Sequence, residues 1–450
     1  MTESRLRLPH PLALLTGCVL LAAAASYVLP AGEFERRDDP VTGRTLVVPG
    51  TYEAVDPNPV NLFEAMVALP RGMADAGSVI FLVFLIGGAF TVVDETGTLR
   101  RAIPSLIRAL RGRDILVIPV VSVFFGMGGV VQNMQEEIIP LIPVLMILVG
   151  RMGFTPLVAV AMSAGAAFVG SAFSPINPFQ VIIAQQAAQV EPISGAAFRI
   201  VFLVLALAFW IGATMRYAAA NRTAPQGTTA DDLGESLTGR DSLILTMVGG
   251  TFALMVIGLR YWGWDFDQMS GAFFIMGILV GVIARMGVQG TAEAYVKGFR
   301  EMAYAALLIG FARAISTVLA DGRIIDTIVN GMFTPLESLP QLASALGMVV
   351  GQALLHVPVP SVSGQAVLTM PVLVPLADLL GLSRQVIVLA YQYGAGLCDL
   401  ITPTNGALMA ILASAGVRYE QWMKFTLPLY GGLVTLGCVS IAIAIAIGLQ

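Results

Sequence analysis

The chain is poor in the side chains that most protein chemistry needs. Its 450 residues include two histidines (His10 and His356), three cysteines and only 12% charged residues. Two distant histidines cannot supply a His-Glu-x-x-His zinc pair, and no Gly-x-Ser-x-Gly elbow is present. Asp399 also lacks the Gly-x-Gly-Asp setting of an intramembrane protease, so the sequence gives no sign of an enzyme. Cys18, Cys398 and Cys438 are odd in number, share no spacing pattern and all lie in apolar segments. They read as packing residues rather than as a disulfide framework or a zinc site. No basic patch with interleaved aromatics occurs, which excludes a nucleic-acid partner.

Apolar residues, by contrast, make up 56% of the chain. A soluble domain carrying that much apolar surface would aggregate, so the lipid bilayer must act as its solvent. Apolar runs of about 17 to 25 residues recur from Pro11 to Gly448, the length a hydrocarbon core of about 30 Å requires. The expected fold class is therefore an all-α polytopic membrane protein. The first run, Pro11–Leu29, follows Arg5 and Arg7 and has the form of a signal peptide with a small-residue site near Ala31. It also fills a place in an internal repeat, so we read it as the first span.

Lys and Arg cluster in alternate loops. Arg5 and Arg7 precede the first span, and Arg100, Arg101, Arg108, Arg111 and Arg113 follow the second, about Gly77–Val93. Arg216, Arg222 and Arg240 mark the middle, Arg285, Lys297 and Arg300 the next loop, and Arg418 and Lys424 the last. The positive-inside rule makes these cytoplasmic. The expectation is a bacterial inner-membrane protein with a cytoplasmic N-terminus and a periplasmic C-terminus. Residues 30–72 then form a periplasmic flap, punctuated by Asp-Pro, Thr-Gly and Pro-Gly turns.

Self-comparison reveals a repeat. Leu85-Ile86-Gly87 with Gly97-Thr98-Leu99-Arg100 matches Leu308-Ile309-Gly310 with Gly322-Arg323-Ile324-Ile325. Ser174-Pro175-Ile176-Asn177 matches Thr402-Pro403-Thr404-Asn405. The charge pattern sends Gly77–Val93 inward and its partner Tyr304–Ala320 outward, so the two repeats are inverted. Many secondary transporters share that plan, with a site at the repeat interface near the midplane. The expected organisation is a first repeat at 1–217, a cytoplasmic linker at 218–240, a connecting helix at 241–259 and a second repeat at 260–450.

Each repeat is expected to hold a re-entrant hairpin, at 114–150 and 341–378. The first hairpin has a polar tip, Gln132-Asn133-Met134-Gln135-Glu136-Glu137, with Gly126, Gly128 and Gly129 to allow a tight turn. Its return leg, Ile138–Gly150, covers about 20 Å as a helix, too little to cross the core. The second tip is Pro358 to Gln365, and its leg Ala366–Asp378 reads as equally short. Irregular backbone at that depth survives only where protein or a wet cavity meets it. Each repeat should also hold a broken helix, at 155–190 and 385–415. Ser174-Pro175-Ile176-Asn177-Pro178 and Thr402-Pro403-Thr404-Asn405-Gly406 interrupt them, because proline removes an amide donor and clashes with the preceding turn. The freed carbonyls and amides can serve a cation or an anion.

The segments GSAFSPINPFQVIIAQ, ITPTNGALMAILASAGV, ARAISTVLADGRIIDTI and PSVSGQAVLTMPVLVPLADLLG resemble the C4-dicarboxylate anaerobic carrier family, in particular its YfcC-like branch. The resemblance covers nearly the whole chain. It implies two re-entrant hairpins and two broken helices per protomer, a homodimer built on a scaffold domain, and elevator-type movement of a transport domain. In related sodium/dicarboxylate symporters, Ser-Asn-Thr tips bind substrate carboxylates and frame sodium sites. Here the second tip keeps Ser361 and Ser363, while the first carries Gln132, Asn133, Glu136 and Glu137 instead.

The candidate solute-binding residues are accordingly Gln132, Asn133, Ser174, Asn177, Ser361, Ser363, Gln365, Thr402, Thr404 and Asn405. Intramembrane carboxylates are functional by default, which makes Glu136, Glu137 and Asp399 candidates for coupling. Sodium near Asn177 and Asn405, or a proton, is the expected coupling ion, and no other cofactor is implied. Asp94 and Asp321 read as helix-end residues, Arg313 as a structural ion pair, and His356 as a packing residue. The expected function is a secondary transporter or exchanger for a small carboxylate-bearing solute. Dicarboxylates follow from the resemblance, whereas amino acids fit the paired glutamates better. An amino-acid or peptide antiporter without ion coupling, or a channel, are the alternatives.

Overall fold

The computed structural model describes residues 10–38, 45–48, 50–98, 101, 114–224 and 237–449. Arg5, Arg7, Arg100, Arg108, Arg111 and Arg113, on which the expected orientation of the first spans rests, lie outside them, as does the side chain of Gln132. The regular structure of the described chain is helical apart from two small two-stranded antiparallel sheets. Helix α1 is Pro11–Ala25, α2 Leu62–Asp75, α3 Gly77–Glu95, α4 Val117–Gln132 and α5 Ile142–Arg151. Helix α6 is Pro156–Ala172 with a wide turn at Ala161–Gly165, α7 covers 178–187, and α8 is Ala196–Ala220. Helix α9 is Gly239–Tyr261, α10 Phe266–Ile283, α11 Gly287–Asp321 and α12 Ile325–Phe333. The chain ends with α13 Gln341–His356, α14 Val362–Leu380, α15 Arg384–Cys398, α16 Gly406–Ser414 and α17 Tyr419–Ala446.

Among the described residues, seven helices are long and apolar enough to cross a bilayer. Capping boxes fix several starts: Asn61 with Glu64 for α2, Thr238 with Asp241 for α9, and Asp265 with Gln268 for α10. Each box satisfies amides that the first turn leaves without partners. Helix α9 is also held through Asp241, which receives Thr98 at 2.8 Å and Arg101 at 2.7 Å.

Two bundles meet in the fold. Helices α2, α3 and α10 pack against α11, while the hairpins α4–α5 and α13–α14 embrace the interrupted helices. Helix α11 corrects the sequence reading. Lys297 and Arg300 lie within a single 35-residue helix rather than in a loop, and Lys297 pairs with Glu95 of α3. At 1.5 Å per residue that helix is about 50 Å long, so its first half extends past any hydrocarbon core and can be charged. Arg313 pairs with Asp75, and Asp321 at the end of α11 pairs with Arg71 at 2.5 Å.

The flap is only partly irregular. Strand β1 (Gly32–Glu33) pairs with β4 (Glu53–Ala54), and β2 (Arg36–Asp38) with β3 (Thr45–Val47). Its anchor is α12, whose Asp326 accepts from the Phe34 amide at 2.9 Å and from Arg36 at 3.0 Å. From Leu62 onward the segment read as flap is helix α2.

The glycines of the first hairpin serve packing, which corrects their reading as turn residues. Gly126, Gly128 and Gly129 lie inside α4, and the turn is made by Asn133 in the left-handed region at φ 57°. Helices α4 and α6 touch backbone to backbone. A Cβ on Gly129 would overlap the Ala167 carbonyl, and one on Gly170 would overlap the Gly126 carbonyl. Neither backbone can yield, so Gly170→Ala should destabilise the protein by about 3 kcal/mol, at the upper end of overpacking effects. Thermal unfolding of the purified protein checks this, with Gly212→Ala, whose added methyl meets nothing within 4 Å, as the control.

The second return leg also departs from expectation. Helix α14 begins at Val362 and runs 19 residues, long enough to count among the seven spans. The polar tip residues Val362 to Gln365 are helical, and Pro371 and Pro375 are absorbed without ending the helix.

Candidate functional site

The first interruption is a clamp. At the end of α4 the Gly129 carbonyl accepts the Asn133 amide at 3.1 Å, and the carbonyls beyond it have no further turn to bond. Ser174 Oγ donates to the Val130 carbonyl at 2.7 Å and Asn177 Nδ2 to the Gly129 carbonyl at 2.8 Å. Ser171 Oγ donates to Asn133 Oδ1 at the tip. Asn177 Oδ1 meanwhile accepts the amides of Phe179 at 2.9 Å and Gln180 at 3.0 Å, capping α7. Every polar atom of the Asn177 side chain is thus engaged by the hairpin and its own helix.

Behind the clamp lies a buried charge that sequence reasoning passed over. Arg199 on α8 is fully buried and donates to Gln392 Oε1 at 3.1 Å, Gln385 Oε1 at 2.9 Å and the Ser194 carbonyl at 2.9 Å. Gln392 in turn donates to the Ser174 carbonyl at 2.7 Å. Among the described residues, no carboxylate pairs with this guanidinium.

The second interruption gathers ionisable groups. Helix α15 ends at Cys398, and Asn405 caps α16 by accepting the Leu408 amide at 3.0 Å. Between them Asp399 is buried, with three polar neighbours. His356 Nε2 lies 2.9 Å from its Oδ1, Asn405 Nδ2 donates to the same oxygen at 2.6 Å, and Gln135 Nε2 donates to Oδ2 at 2.9 Å. Gln135 belongs to the first hairpin tip, and its Oε1 accepts from Asn405 Nδ2 at 3.2 Å. On the other side, His356 Nδ1 lies 3.0 Å from Gln365 Oε1, whose own Nε2 donates to the Gln352 carbonyl at 2.7 Å. One cluster therefore joins both hairpins to the second broken helix.

Glu136 and Glu137 open the short turn after the first tip. Glu137 is buried and accepts the Gln135 amide at 3.1 Å, while Glu136 lies close enough to feel the charges of Glu137 and Asp399. Among the described residues, none of these three carboxylates pairs with Lys or Arg.

The candidate residues thus divide. Gln365, Asn405, Asp399 and the glutamates converge on the cluster, and Thr404 ties the second interruption to the Val357 carbonyl. Thr402 Oγ1 is buried with no partner among the described residues. Asn133, Ser174 and Asn177 belong to the clamp. Ser361 caps α14 by accepting the Gly364 amide at 3.3 Å, with Ser363 half-buried beside it. His356, read as a packing residue, sits at the centre of the cluster, and Gln135 completes it. Each asparagine turns its oxygen to backbone amides and its N–H groups to its neighbours.

A helical chain with seven membrane-length helices, whose buried polar groups meet where hairpin tips face interrupted helices, belongs to the class of membrane transporters. The family model for the C4-dicarboxylate anaerobic carrier matches residues 8–446, and the chain is a member of that family. It is 32% identical to the putative basic amino acid antiporter YfcC of Escherichia coli, over 98% of this chain and 97% of that protein. An uncharacterized protein of Haemophilus influenzae is 30% identical over 90% of this chain and 83% of its own length. Among solved structures, the YdaH transporter of Alcanivorax borkumensis is similar at 18% identity and a TM-score of 0.46, covering 98% of this chain and 99% of that one. The chain is a multi-pass membrane transporter and not an enzyme.

Proposed function

We propose that the chain is an exchanger that carries a small amino acid across the bacterial inner membrane against protons, binding the solute's ammonium group at the acidic tip of the first hairpin. One observation carries this reading: Glu136 and Glu137 lie together beside Asp399, and neither has a cationic partner among the described residues, His356 being engaged by Asp399. Buried carboxylates without cationic partners are expensive, and a cationic group on the solute or a proton offsets them. A dianionic solute would be repelled there. The similarity to YfcC, a putative basic amino acid antiporter, agrees with an ammonium-bearing cargo.

The remaining features of the reading follow the same plan. The two repeats are inverted, the first hairpin re-enters the membrane on its short second leg α5, and the N-terminus is cytoplasmic with a periplasmic C-terminus. Helices α2, α3, α10 and α11 form a scaffold through which two copies dimerise, and the hairpins with α6, α7, α15 and α16 move against it as an elevator.

Thermal-shift measurements with amino acids, basic ones included, and with C4-dicarboxylates, at two pH values and with or without sodium, test the cargo. Stabilisation by dicarboxylates alone would reject an amino-acid cargo. Uptake into proteoliposomes should saturate and show counterflow, which a channel would not. Glu137→Gln should raise the half-saturating solute concentration roughly ten- to a hundredfold, as expected for a charged hydrogen bond of about 1.5–3 kcal/mol. Unchanged affinity in that variant would remove Glu137 from the site.

A further inference from the structure

The cluster around Asp399 fixes its own proton count. Two chains of amide groups lead into it, and each starts from a backbone group whose polarity cannot change. The Leu408 amide is a donor only, so Asn405 must turn Oδ1 to it and Nδ2 to Asp399 and Gln135. Gln135 must then turn its oxygen to Asn405 and its Nε2 to Asp399. From the other side, the Gln352 carbonyl is an acceptor only, so Gln365 turns Nε2 to it and Oε1 to His356. The ring nitrogen Nδ1 therefore carries a hydrogen. What remains is one contact, His356 Nε2 to Asp399 Oδ1 at 2.9 Å, and it needs one proton. Both oxygens of Asp399 already accept N–H groups, one from Asn405 and one from Gln135, the pattern of a carboxylate rather than of an acid that donates. The proton accordingly resides on Nε2, as an imidazolium paired with a carboxylate.

We propose that His356 is the proton-carrying residue of this transporter, and that loss of its Nε2 proton releases the second hairpin from the second broken helix. The step rests on the proton-exchange reading above. The Nε2–H bond breaks, the proton passes to water, and the ring stays neutral with a lone pair on Nε2. That lone pair then faces the negative Asp399 Oδ1 with no hydrogen between them. The contact turns from attraction to repulsion, and it lies where His356 at the end of α13 meets the start of the interruption at Asp399. The groups facing the pair are Glu136 and Glu137 from the first hairpin, Tyr391 and Cys398 from α15, and Tyr430 of α17 beside Cys398. The neutral hydroxyls and thiol do not alter the count.

The chain's two histidines make the test direct. Full-length protein with 15N-labelled histidine rings, in lipid vesicles, gives two sets of ring signals, and His10→Asn assigns the remainder to His356. At neutral pH both nitrogens of His356 should carry hydrogen. A bare, pyridine-type Nε2 at neutral pH would overturn the proposal, whatever the cargo proves to be. In proteoliposomes, His356→Gln keeps a donor for Asp399 but cannot release a proton. Driven transport by this variant should lose the pH dependence that the wild type shows across roughly pH 5 to 8. A wild-type pH profile in His356→Gln would also overturn it. If no amino acid is transported at all, the ring signals still decide the state of His356, so the two readings fail separately.

Discussion

Asp399→Asn is expected to abolish driven transport while the protein still reaches the membrane. The substitution preserves shape and removes only the charge and one acceptor. Every neighbour of the carboxylate is a donor: His356 Nε2 and Asn405 Nδ2 on one oxygen, Gln135 Nε2 on the other. Whichever way the new amide is turned, its NH2 group points at another N–H. The amide also leaves the His356 ring without its counter-charge inside the protein. Losing one partner of a buried ion pair typically costs about 3–5 kcal/mol, which corresponds to at least a hundredfold in an equilibrium constant. The interrupted helix and both hairpins share this one residue, so the loss should fall on the movement that brings them together and apart. Proteoliposome uptake driven by a pH gradient should drop about a hundredfold or more, and the thermal midpoint should fall. Driven uptake at the wild-type rate would mean that Asp399 is a helix-end residue and nothing more.

Much of the fold was legible because its signals are local. Pro175 and Pro178 flanking Asn177, and Pro403 between two threonines, break their helices, whereas Pro371 and Pro375 are absorbed within α14. The interruptions accordingly lie at 173–177 and 399–405, between the helices on either side. The polar hairpin tips announced themselves as short polar segments inside apolar runs. What local signals could not give was the partner of each group. Asp399 and Gln135 are 264 residues apart in sequence, and Asp399 and His356 are 43 apart. Nothing near His356 distinguishes a histidine that packs from one that meets a carboxylate. The glycines of α4 misled for a related reason. A glycine can serve a turn or a close helix crossing equally well, and only the position of α6 decides between them. Likewise a positive-inside count places Lys297 outside the core but cannot say whether it sits in a loop or on a long helix.

Arg199→Met is the counterpart of the first experiment, on the opposite interruption. Arg199 is held by neutral groups alone: two glutamine oxygens and the Ser194 carbonyl. Removing the guanidinium strands two buried glutamine oxygens, each at about 1–3 kcal/mol, while the Ser194 carbonyl keeps its bond from Gln185 Nε2 at 2.9 Å and relief from burying a charge returns part of the loss. The net expectation is a loss of about 3 kcal/mol in stability, read as a fall in the thermal midpoint. Arg199→Lys should not rescue it, since one ammonium cannot reach three acceptors set out for a planar fork. The consequence extends past stability because Gln392 uses its amide nitrogen to hold the Ser174 carbonyl. With Arg199 gone, the Gln392 oxygen loses its donor, and the side chain can turn away from the first interruption. Arg199→Met and Gln392→Met should therefore be strongly non-additive in solute affinity, the double variant behaving much like either single one. Additive losses would show that the two residues act independently and that the buried charge serves only the packing of α8 against α15.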